Sequence, residues 1–519
     1  MSDSRSGAER PSAQNPLREG LRVERAAEAC TIVIFGASGD LTKRKLMPGL
    51  YSLYQQNLLG GACAIVGASR TKYSHEDFRQ EMKEAVAEHG HGGLGDEAQW
   101  NTFAESLFYN PTDGRSEPQS FDALAALLEK IDGERGTGGN RLFYLSTPPS
   151  LYTPIARDLA RVGLNRRGRD KGAGWTRIIV EKPFGHDLES AKQLNVDLLE
   201  HFSENQVYRI DHYLGKETVQ NINVLRFANG IFEPLWDRRY IDHVQITASE
   251  NLGVGSRGGY YEGAGALRDM LKNHLLQVLA LVAMEPPSSL DAAGVRDEKS
   301  KVLRAVRRIP ADQVDDYAAR GQYAKGSVNG QPVNGYRDET GVDAESNTET
   351  YAALKLYVDN WRWADVPFYL RSGKRMPKRV TEVAIQFRRV PHDLFRGQQL
   401  ESNTLILRLQ PDEGITLRFG AKVPGQAVQI RPVSMEFQYG TSFGKRSPEA
   451  YERLLLDAML GDSTLFARGD FVELSWELVT PVIDYWAAHV ADFPNYAAGS
   501  WGPKVSDDLV EGDDHWRRP

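Results

Sequence analysis

Short apolar runs bounded by glycine punctuate the first half of the chain, with amphipathic stretches between them. TIVIFG (31–36) and CAIVGA (63–68) are the first two runs, and Leu46, Leu50 and Leu53 mark an amphipathic segment between them. That succession predicts a βαβ unit. RLFYLS (141–146) and RIIVEKP (177–183) predict two further buried parallel strands, each followed by a helix, and VYRIDH (207–212) marks the exit from this half. Beyond it the pattern changes to alternation. HVQITASE (243–250), EVAIQFRR (382–389), NTLILRLQ (403–410) and GITLRFGAK (414–422) predict a large antiparallel sheet with one face packed on helices. The strongest helical pattern is GALRDMLKNHLLQVLALVAM (265–284), with Met270, Leu271, His274, Leu275 and Val278 on one stripe.

Two domains follow: an α/β unit over 30–210 with a parallel sheet, and an α+β unit over 211–505 with the antiparallel one. Residues 1–29 read as a poorly ordered polar tail, 506–519 as a loose acidic tail, and the Gly, Asn and Asp-rich stretch 321–347 as a surface loop. With 519 residues, 41% of them hydrophobic, the chain has enough apolar material for such cores. No apolar stretch approaches the roughly 20 residues of a membrane span. Leu275–Met284 comes nearest and is interrupted by Gln277. The N-terminus lacks the apolar centre of a secretory signal, so a cytoplasmic location is expected, with Cys30 and Cys63 as reduced thiols. A formal net charge of -7 argues against nucleic acid as a partner. An anionic ligand must therefore meet local positive charge, and basic residues cluster at Lys43, Arg44 and Lys45 and again at Arg371, Lys374, Arg375, Lys378 and Arg379.

Strand TIVIF runs into Gly36-Ala37-Ser38-Gly39-Asp40-Leu41. Glycines there permit a tight turn and a close backbone approach to a pyrophosphate, whose charge the amides of the next helix would meet. The spacing departs from GxGxxG, since the glycines are three apart and Leu41 lies near the place of a third small residue. Pro48 makes the following helix restart or kink. At the end of the second strand an NAD site would carry an acid against the ribose 2′-hydroxyl. Here the residues are Gly67-Ala68-Ser69-Arg70-Thr71-Lys72, and Arg70 offers a planar fork of donors to a 2′-phosphate, which favours NADP.

Three more segments bring ionisable groups to strand exits. Lys182, in Glu181-Lys-Pro-Phe-Gly185, precedes proline and is held extended. Asp211, His212, Tyr213 and Lys216 crowd into Arg209-Ile-Asp-His-Tyr-Leu-Gly-Lys-Glu217. Such a set can bind a phosphate dianion while the carboxylate orients something else. His274 sits in Arg268-Asp-Met-Leu-Lys-Asn-His-Leu-Leu-Gln277, on a stripe where a core histidine would also fit.

In this order GASGDLTKRKL, EKPFG, RIDHYLGKE, RDMLKNHLLQ and RSGKRM resemble the glucose-6-phosphate dehydrogenase family from about Thr31 to the acidic tail. The resemblance implies an N-terminal Rossmann-type coenzyme domain, a C-terminal domain on a large, mainly antiparallel sheet, and assembly as a homodimer or homotetramer. It implies oxidation of glucose 6-phosphate at C1 with hydride transfer to NADP, without a metal. It further implies that His274 is the general base and Asp211 its orienting carboxylate. His212, Tyr213, Lys216 and Lys374 would hold the sugar phosphate, Glu250 and Asp269 the sugar hydroxyls, Lys182 would lie between substrate and nicotinamide, and Arg379 would be a further basic group of the substrate site. No second, structural NADP is expected. The alternatives are another sugar oxidoreductase with an Glu-Lys-Pro turn, or a non-catalytic NADP sensor, which would not need a base.

Overall fold

The computed structural model describes residues 25–112, 118–166, 174–395, 398, 400–439, 449–512 and 514–519. The first domain is built on β1 (Thr31–Phe35), β2 (Ala64–Ser69), β3 (Leu107–Pro111), β4 (Arg141–Leu145), β5 (Thr176–Val180) and β6 (Val207–Ile210). They lie in the order β6-β5-β4-β1-β2-β3, all parallel. β1 and β4 are buried throughout, which is why their sequences do not alternate. Val33 and Phe35 face a layer containing Phe121, Leu124 and Leu128, whereas Ile32 and Ile34 face one containing Leu46, Leu50 and Leu53. The chain winds from β1 towards β3 and then from β4 towards β6, so its direction reverses between β1 and β4, where an open α/β sheet leaves a crevice at the strand ends.

The second domain's sheet uses β7 (Ile241–Ser249) and β8 (Ala318–Gly321). After the short β9 (Tyr323–Ala324), β10 (Gly326–Val328) and β11 (Gln331–Val333), it continues with β12 (Tyr351–Tyr357), β13 (Pro367–Gly373), β14 (Val380–Phe387), β15 (Thr404–Gln410), β16 (Gly414–Lys422) and β17 (Ile430–Gln438). The order is β17-β16-β15-β14-β7-β13-β12-β8. Every pair is antiparallel except β7 with β13. The helix Leu276–Ala283 is buried along its whole length and belongs to the same hydrophobic core as residues of β7, β12, β13 and β14. β18 (Phe466–Ala467) returns to the first sheet beside β6, and β19 (Tyr496–Ala497) pairs with β9. No described helix is long and apolar enough to cross a membrane.

Three expectations change. The stretch 321–347 contains β9, β10 and β11 and the fully buried Tyr323 and Tyr336, so its small residues serve turns between packed aromatics rather than one open loop. Residues 506–519 do not hang free. Leu509, Val510 and Trp516 are buried, the Trp516 indole donates to the Ser506 carbonyl at 2.7 Å, and Arg517 pairs with Glu382 at 2.8 Å. Aspartates and glutamate around three apolar residues concealed that anchor. It covers Arg371, whose guanidinium lies 4.6 Å from the Trp516 ring centre and 5.3 Å from that of Trp501, so this member of the basic cluster is not on the surface. Of the N-terminal tail, residues 1–24 lie outside the described residues. Ala27 is buried and its N–H donates to the Leu58 carbonyl at 2.8 Å, which anchors the segment leading into β1.

Candidate active site

The candidate residues come from strand exits, and strand pairing decides which of them meet. β5 and β6 run side by side, with Val180 opposite Arg209, so Lys182 and Asp211 emerge together at their carboxyl ends. The Lys182–Pro183 peptide is cis. β7 and β13 are the parallel pair of the second sheet, with Ser249 opposite Gly373. Glu250 and Lys374 are each the next residue, and their side chains form an ion pair.

His274 arrives differently. Gly265, at φ 66°, breaks the preceding helix, and a side chain there would strike the Glu349 carboxylate, which instead accepts the Leu267 N–H at 3.0 Å. From Leu267 to Leu275 the chain is then wound as a π-helix, not the α-helix that the apolar stripe predicts. In that winding the backbone bonds join residues five apart, which therefore come nearer to one side than they do in an α-helix. Asp269 and His274 are such a pair. Lys182 Nζ donates to Asp269 Oδ1 at 3.1 Å and lies 2.9 Å from His274 Nε2.

The other imidazole nitrogen, Nδ1, is 2.6 Å from Asp211 Oδ1, which also accepts the Tyr213 N–H at 3.0 Å. Because a lysine can only donate, Nε2 must be the acceptor and Nδ1 must carry the proton. His274 is 1% exposed and Asp211 4%. Burial alone would raise the Asp211 pKa, but the charge and hydrogen bond of His274 outweigh it and hold the carboxyl at about 2. Burial pushes His274 below the ordinary imidazole value, with Asp211 opposing and Lys182 adding to the fall. The result is a neutral imidazole on a fixed carboxylate, with its free lone pair turned to the lysine side.

Aromatic rings fix the imidazole further. Tyr213 stacks on it with centroids 4.3 Å apart, and the His212 ring meets it edgewise at 4.7 Å. Burial, then the charges of His274 and Lys182, keep His212 well below its usual pKa. Lys216 Nζ lies 3.9 Å from the Tyr213 ring centre and donates to Gln410 Oε1 at 2.5 Å. Burial and then the charge of Arg379 push Lys216 down to about 8, so two cations face one place that an anion would relieve.

A second group forms at the exits of β1 and β2. Gly36 has φ 83°, and a Cβ there would lie 2.0 Å from the Ser146 carbonyl oxygen beyond β4, so the tight turn admits no side chain. Ala37 is buried, Gly39 donates to the Gly36 carbonyl at 2.9 Å, and Ser38 Oγ lies 3.0 Å from Ser69 Oγ, tying the loop to the end of β2. Leu41 leads into a π-helical turn, Thr42–Leu46, and the α-helix starts at Met47 with Pro48 in its first turn. Lys43 pairs with Glu81, and Arg44 with Asp40 at 2.7 Å. Arg70 is exposed, and among the described residues it has no hydrogen-bond or ion-pair partner. The bare glycine turn and this unneutralised guanidinium fit a dinucleotide with a 2′-phosphate.

The domain family described as "Glucose-6-phosphate dehydrogenase, NAD binding domain" matches residues 33–221, and "Glucose-6-phosphate dehydrogenase, C-terminal domain" matches residues 223–517. The chain belongs to the glucose-6-phosphate dehydrogenase family. "Glucose-6-phosphate 1-dehydrogenase 2" of Mycobacterium tuberculosis is 48% identical over 512 residues, 98% of each chain. The "Glucose-6-phosphate 1-dehydrogenase" of Aggregatibacter actinomycetemcomitans is 49% identical, over 95% of this chain and 98% of that one. A solved glucose-6-phosphate dehydrogenase "in complex with its substrate glucose-6-phosphate" superposes with a TM-score of 0.86 at 36% identity, covering 94% of this chain and 99% of that one. The enzyme from Mycobacterium avium superposes with a TM-score of 0.79 at 37% identity. As a glucose-6-phosphate dehydrogenase the chain is an oxidoreductase that oxidises glucose 6-phosphate at C1 to the phosphogluconolactone, with NADP as hydride acceptor.

Two contacts around this site escaped the sequence. Gln410 holds Lys216, and its only signal was its place at the end of an alternating strand. Tyr261, whose ring centre lies 5.0 Å from Lys374 Nζ, comes from GGYYEG, a glycine-flanked pair that could have been singled out before the helix.

Proposed function

We propose that His274 Nε2 takes the C1 hydroxyl proton of glucose 6-phosphate, with Asp211 holding the tautomer and stabilising the imidazolium that forms. The contact between His274 Nδ1 and Asp211 carries this reading, because it leaves Nε2 unprotonated at neutral pH and supplies a counter-charge for the proton it gains. Bound NADP supplies the hydride acceptor. Lys182 holds Nε2 in the free enzyme and must yield that lone pair to the hydroxyl, remaining beside it on Asp269. Lys216 and Arg379, with His212, Tyr213 and Lys374, receive the phosphate. Glu250 and Asp269 accept sugar hydroxyls. Loop 36–41 and Lys182 position the coenzyme.

The acid limb of kcat/KM is expected below pH 6.5, since a buried imidazole resists protonation and activity is lost only as pH falls through its depressed pKa. Asp211→Asn should move that limb to still lower pH, because the Asp211 charge is what holds the His274 pKa up, and should cost about 10²-fold in kcat. A limb that moves upward, or no loss of turnover, would sink the dyad.

The preference for NADP rests on Arg70. Arg70→Ala should raise KM for NADP about 10-fold or more, the worth of a charged hydrogen bond, while KM for NAD changes less than twofold. Equal losses for the two coenzymes would remove that contact. A homodimer or homotetramer is supported by β17, an edge strand that leaves Val433 and Met435 exposed in an outward row. A cytoplasmic location accords with the free thiols of Cys30 and Cys63.

A further inference from the structure

Beside the dyad lies a cavity lined by none of the residues assigned to the phosphate or the sugar hydroxyls. Lys182, Asp211, Lys272, His274 and Gln277 border it, and Phe184, Ile210, Phe471 and Val472 close it. Its polar groups are incompletely matched. Asp211 Oδ1 has two donors, but among the described residues Asp211 Oδ2 is buried with no hydrogen-bond partner, and so is Gln277 Oε1. Lys272 is 3% exposed, yet among the described residues its ammonium, which has three donors, makes one hydrogen bond, to Asn273 Oδ1 at 3.1 Å, and lies 4.3 Å from the Trp476 ring centre. Leaving a buried carboxylate oxygen and an ammonium unsatisfied on one cavity is costly, and water with two or more polar partners is the ordinary remedy.

We propose that this cavity holds water linking the Lys272 ammonium to Asp211 Oδ2, and that Lys272 is thereby a positioning residue that sets the basicity of His274 through its carboxylate partner. The inference rests on His274 as the base only for its kinetic consequence, not for the link itself. Asp211 beyond β6 and Lys182 beyond β5 act on Lys272, Asp269 and His274 share its segment, and Lys299 from the helix Ala292–Ala305 acts on the same Asp211. The helix Gly469–Ala488 presents Phe471, Ser475 and Trp476 to it; the carboxylates Asp470 and Glu473 of that helix are engaged with Arg468 and Asn195. Burial pushes Lys272 down to about 7, against the pull of Asp211, so it carries its charge in the acid range where His274 titrates.

A cation held beside the dyad disfavours the imidazolium. Removing it should raise the His274 pKa. In Lys272→Met and Lys272→Gln, the His274 titration followed by NMR of labelled imidazole should move upward by about half a pH unit or more, and the acid limb of kcat/KM should follow it. KM for glucose 6-phosphate should stay within about twofold, since Lys272 does not face the sugar. Only the methionine variant also loses the bond to water, so kcat should fall about fivefold with Met and less than about twofold with Gln. An unchanged His274 titration in both variants overturns the proposal, whatever happens to thermal stability. If the methionine variant does not fold, the glutamine variant decides alone. The NMR readout needs no turnover, so failure here is distinct from failure of the base assignment, which an active His274→Asn enzyme would reveal.

Discussion

His274→Asn should lower kcat by about 10³-fold while KM for glucose 6-phosphate stays within a few-fold, because a general base acts in the transition state and typically contributes about 10² to 10⁴ in rate. Asparagine is close in shape to the Nδ1 half of the ring. It can still donate to Asp211, so the buried carboxylate keeps a partner and the fold is spared an uncompensated charge. What disappears is the acceptor on the Lys182 side. Steady-state assay by NADPH absorbance, with coenzyme affinity measured separately, checks the split. Retained turnover would dismiss His274 as the base, and a large rise in KM with unchanged kcat would make it a binding residue instead. Residual activity should lack the acid limb that the wild type shows below pH 6.5.

Lys216→Ala should act in the opposite way, raising KM for glucose 6-phosphate by about 10²-fold and lowering kcat by less than about tenfold, since a charge pair with the phosphate is made before and during the reaction alike. The loss should be larger than for an exposed lysine. Lys216 is desolvated, lies against Tyr213 and has its pKa pressed down to about 8 by burial and Arg379, so binding a dianion relieves a repulsion already present. The sign for pH follows. In the wild type, KM should rise as pH climbs above about 8 and Lys216 loses its proton, and the variant should lack that rise. Titrating KM from pH 7 to 10 in both proteins tests it, and an unaltered profile in Lys216→Ala would place the phosphate elsewhere.

Much of this site was legible because strand exits are legible. GASGD, EKP and RIDHYLGKE each follow an apolar run, and parallel pairing of β5 with β6 brings two of them together without further information. The pairing of Glu250 with Lys374 was not readable in the same way. It requires β7 and β13 to be parallel inside an otherwise antiparallel sheet, and PFYLRSG does not announce its direction. β3 and β17 were missed because LFYNP and IRPVSMEFQ carry proline and polar residues at sheet edges, and neither has the alternately buried face that would set a period of two. The C-terminal anchor was hidden for a related reason. Trp516 stands alone among polar and charged neighbours in the sequence, and a single aromatic leaves no period to detect.

The spacing of Asp269 and His274 was the least visible feature, since the apolar stripe drawn at α-helical period includes His274 and leaves Asp269 on another face. Its winding has a cost and a meaning. A π turn holds one more residue than an α turn and bonds its backbone less favourably, so the segment that delivers the imidazole is locally the less comfortable of two ways to wind the same residues. Selection for a sturdier helix there and selection for a faster enzyme therefore pull in opposite directions. Heat-hardened variants of this protein should collect their stabilising changes almost everywhere else, leaving 267–275 as the stretch that cannot be improved without being spoiled.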